Sequence, residues 1–191
     1  MISISNASAV EQEGFLTFDI SLLETLPLGQ SLTLALEAEG LTAREGPRSA
    51  FNPNSNSQNP FDFSAQEFEF SLDDGQTWQT AENGNQITFG FGLNYLKVRL
   101  PINNDRADEG LDPETVELRV SDVVLGNANL NDLTDTGIGS IIDDDGAVDI
   151  KISDAIATEG DEQYLVFQVE LPFPSSSRGP ITLGLVTEEG K

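Results

Sequence analysis

Two acidic segments contain the residues of this sequence that are best suited to chemistry. Asp143, Asp144 and Asp145 are consecutive and stand between an apolar stretch and Gly146. Residues 104–110, Asn-Asp-Arg-Ala-Asp-Glu-Gly, form the second segment. Two carboxylates about 4 Å apart repel each other by roughly 4 kcal/mol at an effective dielectric constant of about 20. Water at an exposed tip offsets such repulsion, and so does a bound cation, so the triplet alone is compatible with an acidic linker or with a cation site.

The residue types that are missing narrow the chemistry further. The chain contains no cysteine and no histidine. Disulfides, zinc sites, imidazole acid–base chemistry and a Ser-His-Asp triad are therefore excluded. The oxygen ligands that remain, from carboxylates, amides and carbonyls, are those that Ca²⁺ or Mg²⁺ prefers. Pairs of acids are too numerous to single out a glycosidase-like pair, so we expect a protein that is not an enzyme.

The charge balance argues against two classes of partner. The 191 residues include 33 acidic and 9 basic side chains, which give a formal net charge of −24. Such a chain repels nucleic acid and anionic membranes, and no apolar run is long enough to span a bilayer. Strand-length apolar alternations argue against disorder. Adaptation to high salt would also explain the acid excess and is compatible with cation binding.

Alternating apolar and polar residues predict an all-β fold. Period-two stretches, which are typical of half-buried strands, occur at residues 15–22, 31–37, 68–71, 86–89, 96–100, 115–120 and 137–142. About seven or eight short strands in about 145 residues predict an immunoglobulin-like sandwich of two antiparallel sheets. The polar stretches at residues 53–60 and 127–135 are predicted to be surface loops.

The chain repeats its own opening. Residues 4–11 align with residues 152–159, and residues 18–22 align with residues 167–171 after one extra residue in the second copy. We therefore predict a complete domain at residues 1–147 and the first strands of a truncated second copy at residues 148–191. The linker is too short to be a free tether. The start of the chain lacks the regions of a signal peptide and enters a strand directly, so we expect it to be part of a longer protein.

The loops of a sandwich bring distant residues together. Loops that follow alternate strands gather at one end, so Asp105 and Glu109 are expected to meet the 143–145 triplet and Glu11 of the first hairpin. Carboxylates from three loops are what a multi-ligand Ca²⁺ site requires. Neither acidic segment fits an EF-hand loop, because Ala107 stands where an oxygen ligand is needed, and the nonapeptides of calcium β-rolls are missing.

Taken together, these motifs resemble a Calx-beta domain. The resemblance rests on Glu11, on residues 104–110 followed by Glu-Thr-Val at residues 114–116, and on Gly-Ile-Gly-Ser-Ile-Ile-Asp-Asp-Asp-Gly at residues 137–146. It covers the first copy and the opening of the second. The family occurs in sodium/calcium exchangers, an integrin chain and tandem arrays of large bacterial adhesins. Residues 71–78, Ser-Leu-Asp-Asp-Gly-Gln-Thr-Trp, look most like the adhesin type.

The resemblance implies a set of calcium ligands. The set consists of Glu11, Asp62, Asn104, Asp105, Glu109, Glu114, Asp143, Asp144 and Asp145, together with the backbone carbonyl of Ala107. Asn104 stands where the family usually has Asp, so one charge is lost. Residues 110–113 are about two residues longer than usual before Glu114. We therefore expect fewer ions or weaker binding than in the exchangers.

The implied function is a calcium-binding structural repeat of a secreted or cell-surface protein, an adhesin. Bound Ca²⁺ would rigidify the joint to neighbouring repeats of the same chain, at an extracellular location. The alternative is a calcium-assisted module that binds a glycan, peptide or protein through residues 53–60 and the aromatic side chains of Phe51 and Phe61. Neither interpretation involves nucleic acid or membrane insertion.

Residues 71–78 also fit the Asp-box hairpin of sialidase propellers. A single copy does not make a propeller, which repeats its motif in every blade. We expect Ser71 and Asp73 to bond the turn backbone and Gly75 to adopt a positive φ. Trp78 would then anchor the hairpin or the core, with a sugar-stacking platform as the alternative.

Overall fold

The computed structural model describes residues 1–51, 61–81, 85–105, 109–110, 112–126, 134–145, 150–158, 160, 164–170 and 182–188. The strands are β1 Ile2–Ile4, β2 Ala7–Val10, β3 Phe15–Leu22, β4 Leu32–Gly40, β5 Glu69–Ser71, β6 Gln79–Thr80, β7 Gln86–Phe89, β8 Tyr95–Pro101, β9 Glu114–Gly126, β10 Thr136–Ile142, β11 Lys151–Ile152 and β12 Val169–Glu170. Two 3₁₀ turns, Glu11–Glu13 and Arg48–Ala50, complete the regular elements in this part of the chain.

Two five-stranded sheets confirm the predicted all-β sandwich. One sheet has the strand order β1-β3-β8-β5-β6 and the other has the order β2-β10-β9-β4-β7. The pairings within both sheets are antiparallel except that of β2 with β10, which is parallel. The single parallel edge arises because β2 belongs to an N-terminal segment that changes sheets.

Strict alternation builds the core between the sheets. Every second residue of β3 is buried, from Leu16 to Leu22, and β8 follows the same pattern. Burying such a side chain contributes roughly 1.5–3 kcal/mol. Gly139 lets β10 approach β3, since a Cβ at this position would lie 2.6 Å from the ring of Phe18. The tightly packed core gives the loops at both ends fixed starting points.

The N-terminal segment belongs to both sheets in turn. β1 pairs with β3, with Ile4 opposite Ile20. Two residues later β2 pairs with β10, with Val10 opposite Ile142. Ser5 Oγ accepts a hydrogen bond of 3.0 Å from the Asp19 N–H, which holds the crossing point. The crossing places the residue after Val10 beside the end of β10.

The pairing of β1 with β3 recurs further along the chain. β11 pairs with β12 so that Ile152 lies opposite Val169, the residues that align with Ile4 and Ile20. The Ser153 N–H donates to the Gln168 carbonyl at 2.9 Å, as the Ser5 N–H does to the Asp19 carbonyl. The hydroxyl of each serine also accepts a main-chain hydrogen bond from the partner strand. The local structure thus repeats, while the division at residue 147 stays a prediction.

Several predicted features fall outside the described residues. They are the loop at residues 53–60, most of the loop at residues 127–135, Ala107, Glu159 and the junction at residues 146–149. Among the residues that are described, no helix is long and apolar enough to cross a membrane.

The hairpin at residues 71–78 has the predicted turn. Ser71 Oγ accepts hydrogen bonds from the N–H groups of Asp73 and Gly75, and Gly75 has a φ of 87°. Asp73 accepts from the Thr77 N–H at 2.8 Å and from the Thr77 hydroxyl at 2.6 Å. Trp78 is half-buried and stacks on the guanidinium of Arg99, whose Cζ lies 4.0 Å from the centre of the Trp78 ring. Trp78 therefore anchors the hairpin on the face of the sheet rather than in the core.

Candidate metal centre

Six carboxylates form two triads at one end of the sandwich. Oxygens of Glu11, Asp105 and Asp145 lie within 4.8 Å of one another and form the first triad. Oxygens of Asp62, Glu109 and Glu114 satisfy the same limit and form the second triad. This end, where β8 and β10 finish and β3 and β9 begin, is called the acidic pole; it comprises the two triads and Asp143. Distant loops thus bring seven acids to one region.

Glu11 is positioned by the parallel edge of the second sheet. It follows Val10, which pairs with Ile142, so Glu11 stands next to the start of the aspartate triplet. The 3₁₀ turn Glu11–Glu13 ends at Gly14 in the left-handed conformation, with a φ of 73°. The carboxylate of Glu11 is directed inward, and the residue is only 3% exposed.

Asp105 enters the site through the end of β8. Ile102 donates its N–H to the Gly14 carbonyl at 3.1 Å, so the exit from β8 is tied to the turn that carries Glu11. Three residues later Asp105 is buried beside that turn. One main-chain contact between two loops about 90 residues apart in sequence therefore brings two members of the first triad together.

Main-chain groups hold Asp62 in the second triad. The Asp62 N–H donates to the Arg44 carbonyl at 2.9 Å, and Asp62 Oδ2 accepts from the Arg44 N–H at 2.5 Å. Asn103 donates its N–H to the Asp62 carbonyl, also at 2.9 Å. Sequence reasoning missed both Arg44 and Asn103. No side-chain signal could have found them, because any residue other than proline supplies the same N–H.

Asp143 links the two triads. Its Oδ2 accepts the N–H of Glu109, a member of the second triad, at 2.5 Å. Its Oδ1 accepts the N–H of Asp145, a member of the first triad, at 2.8 Å. The antiparallel pairing of β9 with β10 sets Glu114 opposite Ile141, which brings this member of the second triad close to Asp143. One carboxylate thus organises the loops that carry both sets of acids.

The electrostatics of the acidic pole disfavour the ionised form of Glu11. Burial raises the pKa of Glu11 to about 9, and the neighbouring charges of Glu109, Asp105 and Asp143 act in the same direction. Glu11 Oε2 is buried and has no hydrogen-bond partner among the described residues. Within this part of the chain, the groups that shift its pKa are all acids. None of the described groups that shift the pKa of this buried carboxylate is therefore a positive partner.

These features fit a hard divalent cation. Ca²⁺ takes six to eight oxygen ligands, and mono- or bidentate carboxylates are its usual protein donors. Each triad offers three carboxylates. The buried Oε2 of Glu11 is a possible ligand oxygen that accepts no hydrogen bond from a described group of the protein. A cation would supply the missing positive charge and return the pKa of Glu11 to the acid range. The residues of both triads would hold it.

The structure describes nine of the ten predicted ligands and brings seven of them together. Seven form the acidic pole: Glu11, Asp62, Asp105, Glu109, Glu114, Asp143 and Asp145. Asp144 is exposed and belongs to neither triad of the described chain. Asn104 is half-buried and lines a small cleft, whereas Ala107 lies outside the described residues. The assignment of these ten residues as calcium ligands stays a prediction.

The small cleft lies beside the first triad. Its volume is about 50 Å³, and its walls are formed by Gln12, Gly14, Phe15, Arg48, Phe51, Pro101, Ile102, Asn103 and Asn104. Phe51 was expected to be an exposed aromatic surface, but it is only 8% exposed because it packs into this wall. Phe61 is half-buried rather than exposed. The expectation that Phe51 and Phe61 form an exposed aromatic surface is therefore wrong.

Comparison with known proteins yields matches among solved structures only. No family model and no curated protein matches the sequence. A crystal structure of the calcium binding domain CBD12 of CALX1.1 is 13% identical, with a TM-score of 0.47 over 76% of this chain. The apo form of the Calx CBD1 domain is 14% identical, with a TM-score of 0.45 over 76% of this chain and 99% of its own. CBD12 from CALX1.2 is also 14% identical, with a TM-score of 0.47 over 80% of this chain.

These matches have a limited meaning. This chain covers 45% and 50% of the two CBD12 chains, so it spans about half of their length. All three are CBD structures of Calx, and the first of them is described as a calcium binding domain. The sandwich is established by this chain's own sheets.

Proposed function

We propose that this chain is a calcium-binding structural repeat in which Ca²⁺ at the acidic pole ties together loops that are far apart in sequence. In this role it is not an enzyme; its chemistry is coordination by carboxylate oxygens. The proposal extends to a secreted or cell-surface protein of the adhesin type, in which the repeat is one member of a tandem array.

A single observation carries the proposal: the buried carboxylate of Glu11 sits among other acids. A structural role in the apo protein alone does not explain why seven acids from distant loops converge on one end, since their repulsion and desolvation oppose folding. When a divalent cation is bound, the carboxylates are attracted to it, so their convergence favours folding instead of opposing it. Ligand binding to the folded state then stabilises it by mass action.

The positions of Asp143 and Asp145 suggest how calcium would act on the joint between units. Both residues lie directly after β10, where the chain leaves the first sandwich, and both belong to the acidic pole. We therefore propose that calcium fixes the direction in which the chain continues toward the next repeat. In chelator the acids repel one another and the joint loosens.

Calorimetric titration of the full chain with CaCl₂ tests the proposal. As an extracellular module, the chain is expected to bind with a dissociation constant on the order of 10⁻⁴ to 10⁻³ M, or more tightly if ions share ligands. Asp105→Asn removes one charged oxygen from the first triad and is expected to weaken binding by about tenfold or more.

The matched control is Glu24→Gln, which removes the same charge from an exposed side chain at the other end of the sandwich. It is expected to leave the titration unchanged. The proposal fails if the full chain shows no calcium-dependent heat and no rise in melting temperature in millimolar CaCl₂. Equal weakening by both substitutions would reduce the effect to net charge and would rule out a specific site.

The cleft next to the first triad favours a second candidate function, a calcium-assisted ligand-binding module. The cleft combines apolar walls with the guanidinium of Arg48, whose distance of 4.0 Å to Glu67 makes only a weak ion pair. An acidic group of a glycan or peptide would fit this chemistry. A glycan array probed in CaCl₂ and in chelator separates the two functions, because only the ligand-binding module shows calcium-dependent spots.

A further inference from the structure

A short turn, residues 41–44, connects the end of β4 with the loop that leads to Asp62. β4 ends at Gly40, which pairs with Val116, so the turn begins beside the first residues of β9. Gly40 allows the chain to fold back sharply, because a Cβ at this position would overlap with the Ala43 carbonyl oxygen. Residues 41–44, called the clamp turn, therefore lie next to the strand that carries one member of the second triad.

The clamp turn holds the residue that follows Glu114. The Thr115 carbonyl accepts three N–H groups, at 2.9, 3.2 and 3.2 Å, from Leu41, Thr42 and Ala43. A carbonyl oxygen has two lone pairs, so three donors satisfy it completely. In turn, the Thr115 N–H donates to the hydroxyl oxygen of Thr42 at 2.8 Å. One turn thus fixes both polar main-chain groups of the residue next to a triad member.

The last residue of the clamp turn holds Asp62, another member of the second triad. Asp62 Oδ2 accepts the Arg44 N–H, and the Asp62 N–H donates to the Arg44 carbonyl. The Phe63 N–H donates to the same carbonyl at 3.3 Å, and the Phe63 ring is fully buried. Ala43, which lies between the two sets of contacts, is also buried. The turn is therefore anchored on the core and sets the position of Asp62 relative to Glu114.

Thr42 contributes its side chain to this arrangement. Its hydroxyl accepts the Thr115 N–H and lies 3.1 Å from the Thr115 hydroxyl, where either oxygen can be the donor. Thr42 is exposed and belongs to neither triad. A substitution of Thr42 can therefore loosen the clamp turn without opening the core and without removing a carboxylate.

The second triad needs such a restraint because its members carry like charges. Two carboxylates about 4 Å apart repel each other, so without an ion they tend to separate. A site whose ligands are held in place before binding spends less free energy on ordering them when the ion arrives. Removal of a group that orients a metal ligand typically weakens metal binding by about 10- to 100-fold. Thr42 acts one residue further away, so a smaller effect is expected.

We propose that Thr42 is a positioning residue for calcium at the second triad and that it acts through the clamp turn on Glu114 and Asp62. This inference rests on the proposed function, because it concerns how tightly the acidic pole binds its ion. In this role Thr42 supplies no ligand. It keeps two carboxylates at a spacing that a divalent cation can bridge.

Calorimetric titration with CaCl₂ tests this role in two variants of the full chain. Valine has nearly the shape of threonine but no hydroxyl, so Thr42→Val is expected to weaken calcium binding by about fivefold, which corresponds to the loss of one hydrogen bond. Serine keeps the hydroxyl, so Thr42→Ser is expected to bind calcium as the parent does. Equal weakening by both variants, or no weakening by Thr42→Val, would overturn the proposal.

The matched control is Thr88→Val. Thr88 is exposed, and its hydroxyl lies 2.8 Å from that of Thr33, near the start of β4 and far from the clamp turn. This substitution also removes a threonine pair between neighbouring strands, and it is expected to leave the calcium titration unchanged. A loss equal to that caused by Thr42→Val would reduce the effect to general destabilisation and would contradict a positioning role.

Combined substitutions show which triad Thr42 serves. Glu109→Gln removes a charge from the second triad, and Asp105→Asn removes one from the first. In the presence of Glu109→Gln, Thr42→Val is expected to cause little further loss of calcium affinity. In the presence of Asp105→Asn, it is expected to cause its full fivefold loss, because changes at separate sites add. The opposite pattern would assign Thr42 to the first triad and would refute the proposal.

Amide hydrogen exchange in chelator provides a measurement that needs no calcium. The Arg44 N–H, which donates to Asp62, is expected to exchange about fivefold faster in Thr42→Val than in the parent. Unchanged exchange would show that Thr42 does not control the clamp turn. If the parent binds calcium and Thr42→Val binds it equally well, this inference alone fails. Absence of calcium binding by the parent would instead refute the proposed function itself.

Discussion

Two carboxylates of this sandwich, those of Asp73 and Glu11, have opposite environments. Asp73 sits in an exposed turn and accepts hydrogen bonds from the Thr77 N–H, the Thr77 hydroxyl and the Ser71 hydroxyl. These bonds, chiefly those from Thr77, lower the pKa of Asp73 to about 2. Burial raises the pKa of Glu11 to about 9, and the surrounding acids reinforce the shift. The same functional group is stabilised as an anion in one place and as a neutral acid in the other.

The difference separates an acid whose own turn satisfies its charge from one whose described surroundings oppose its ionisation. The turn around Asp73 supplies every donor from within five residues of sequence, so the anion needs nothing else. Around Glu11 the described chain gathers further acids from two other loops. An acidic residue in a motif therefore signals a cation only when its neighbours fail to supply donors.

The largest expected effect concerns pH. The pKa of Glu11 is raised from 4.5 to about 9 in the folded protein, so without calcium the folded state binds more protons than the unfolded state in this interval. The free energy of unfolding is therefore expected to fall as pH rises from about 4.5 to about 9, by an amount on the order of 5 kcal/mol. Urea unfolding in chelator at a series of pH values measures this.

Saturating calcium is expected to reverse that slope, because binding requires the deprotonated carboxylate and releases a proton. A free energy of unfolding in chelator that rises steadily from pH 5 to pH 9 would contradict the proposed environment of Glu11. The Asp73 turn contributes in the other direction at low pH only: its stabilisation is complete above pH 4 and is lost as pH falls toward about 2.

An intermediate effect is expected from Glu11→Gln, which imitates the protonated side chain. In chelator at pH 7 the variant is expected to be more stable than the parent by about 2 to 3 kcal/mol, because no proton has to be taken up on folding. In CaCl₂ it is expected to be the less stable of the two, because a charged ligand is lost. Thermal melts in chelator and in CaCl₂ measure this reversal in the relative stability of variant and parent. A variant that is less stable than the parent under both conditions would argue against the cation site.

The smallest effect is expected from Asp73→Asn. The amide keeps one oxygen acceptor, for the Thr77 N–H, but loses the second oxygen, which accepts from the Thr77 hydroxyl, and the charge that strengthens both bonds. The melting temperature is therefore expected to drop slightly. The calcium-induced rise in melting temperature should be the same as in the parent. A reduced rise would mean that this turn also takes part in the response to calcium, and the contrast with Glu11 would be lost.

The sequence could predict most of this fold because alternation reflects burial directly. β3 alternates along its full length, β8 alternates from Tyr95 to Leu100, and both lie within one residue of their predicted bounds. β6 has two exposed residues and therefore no pattern to recognise. The parallel register of β2 with β10 depends on a contact across about 130 residues, which no local signal contains.

The candidate site was predictable in composition but not in its internal order. Convergence of loops at one end follows from sandwich topology, and seven of the ten predicted ligands do converge. The triplet shows where sequence reasoning stops: Asp143 bonds two main-chain N–H groups, Asp144 is exposed, and Asp145 joins the first triad. Three identical neighbours differ only through the backbone direction, which depends on the assembled sheet.

The parallel pairing of β2 with β10 has a mechanical consequence. Four residue pairs, from Ala7 with Gly139 to Val10 with Ile142, join the second strand of this sandwich to its last strand. A pull on the two chain ends would slide these strands past each other, so the hydrogen bonds between them would be loaded in shear and would have to break together. Glu11 and Asp143 follow directly at the end of that ladder. An ion shared between their loops would hold the two strands together and raise the force needed to separate them.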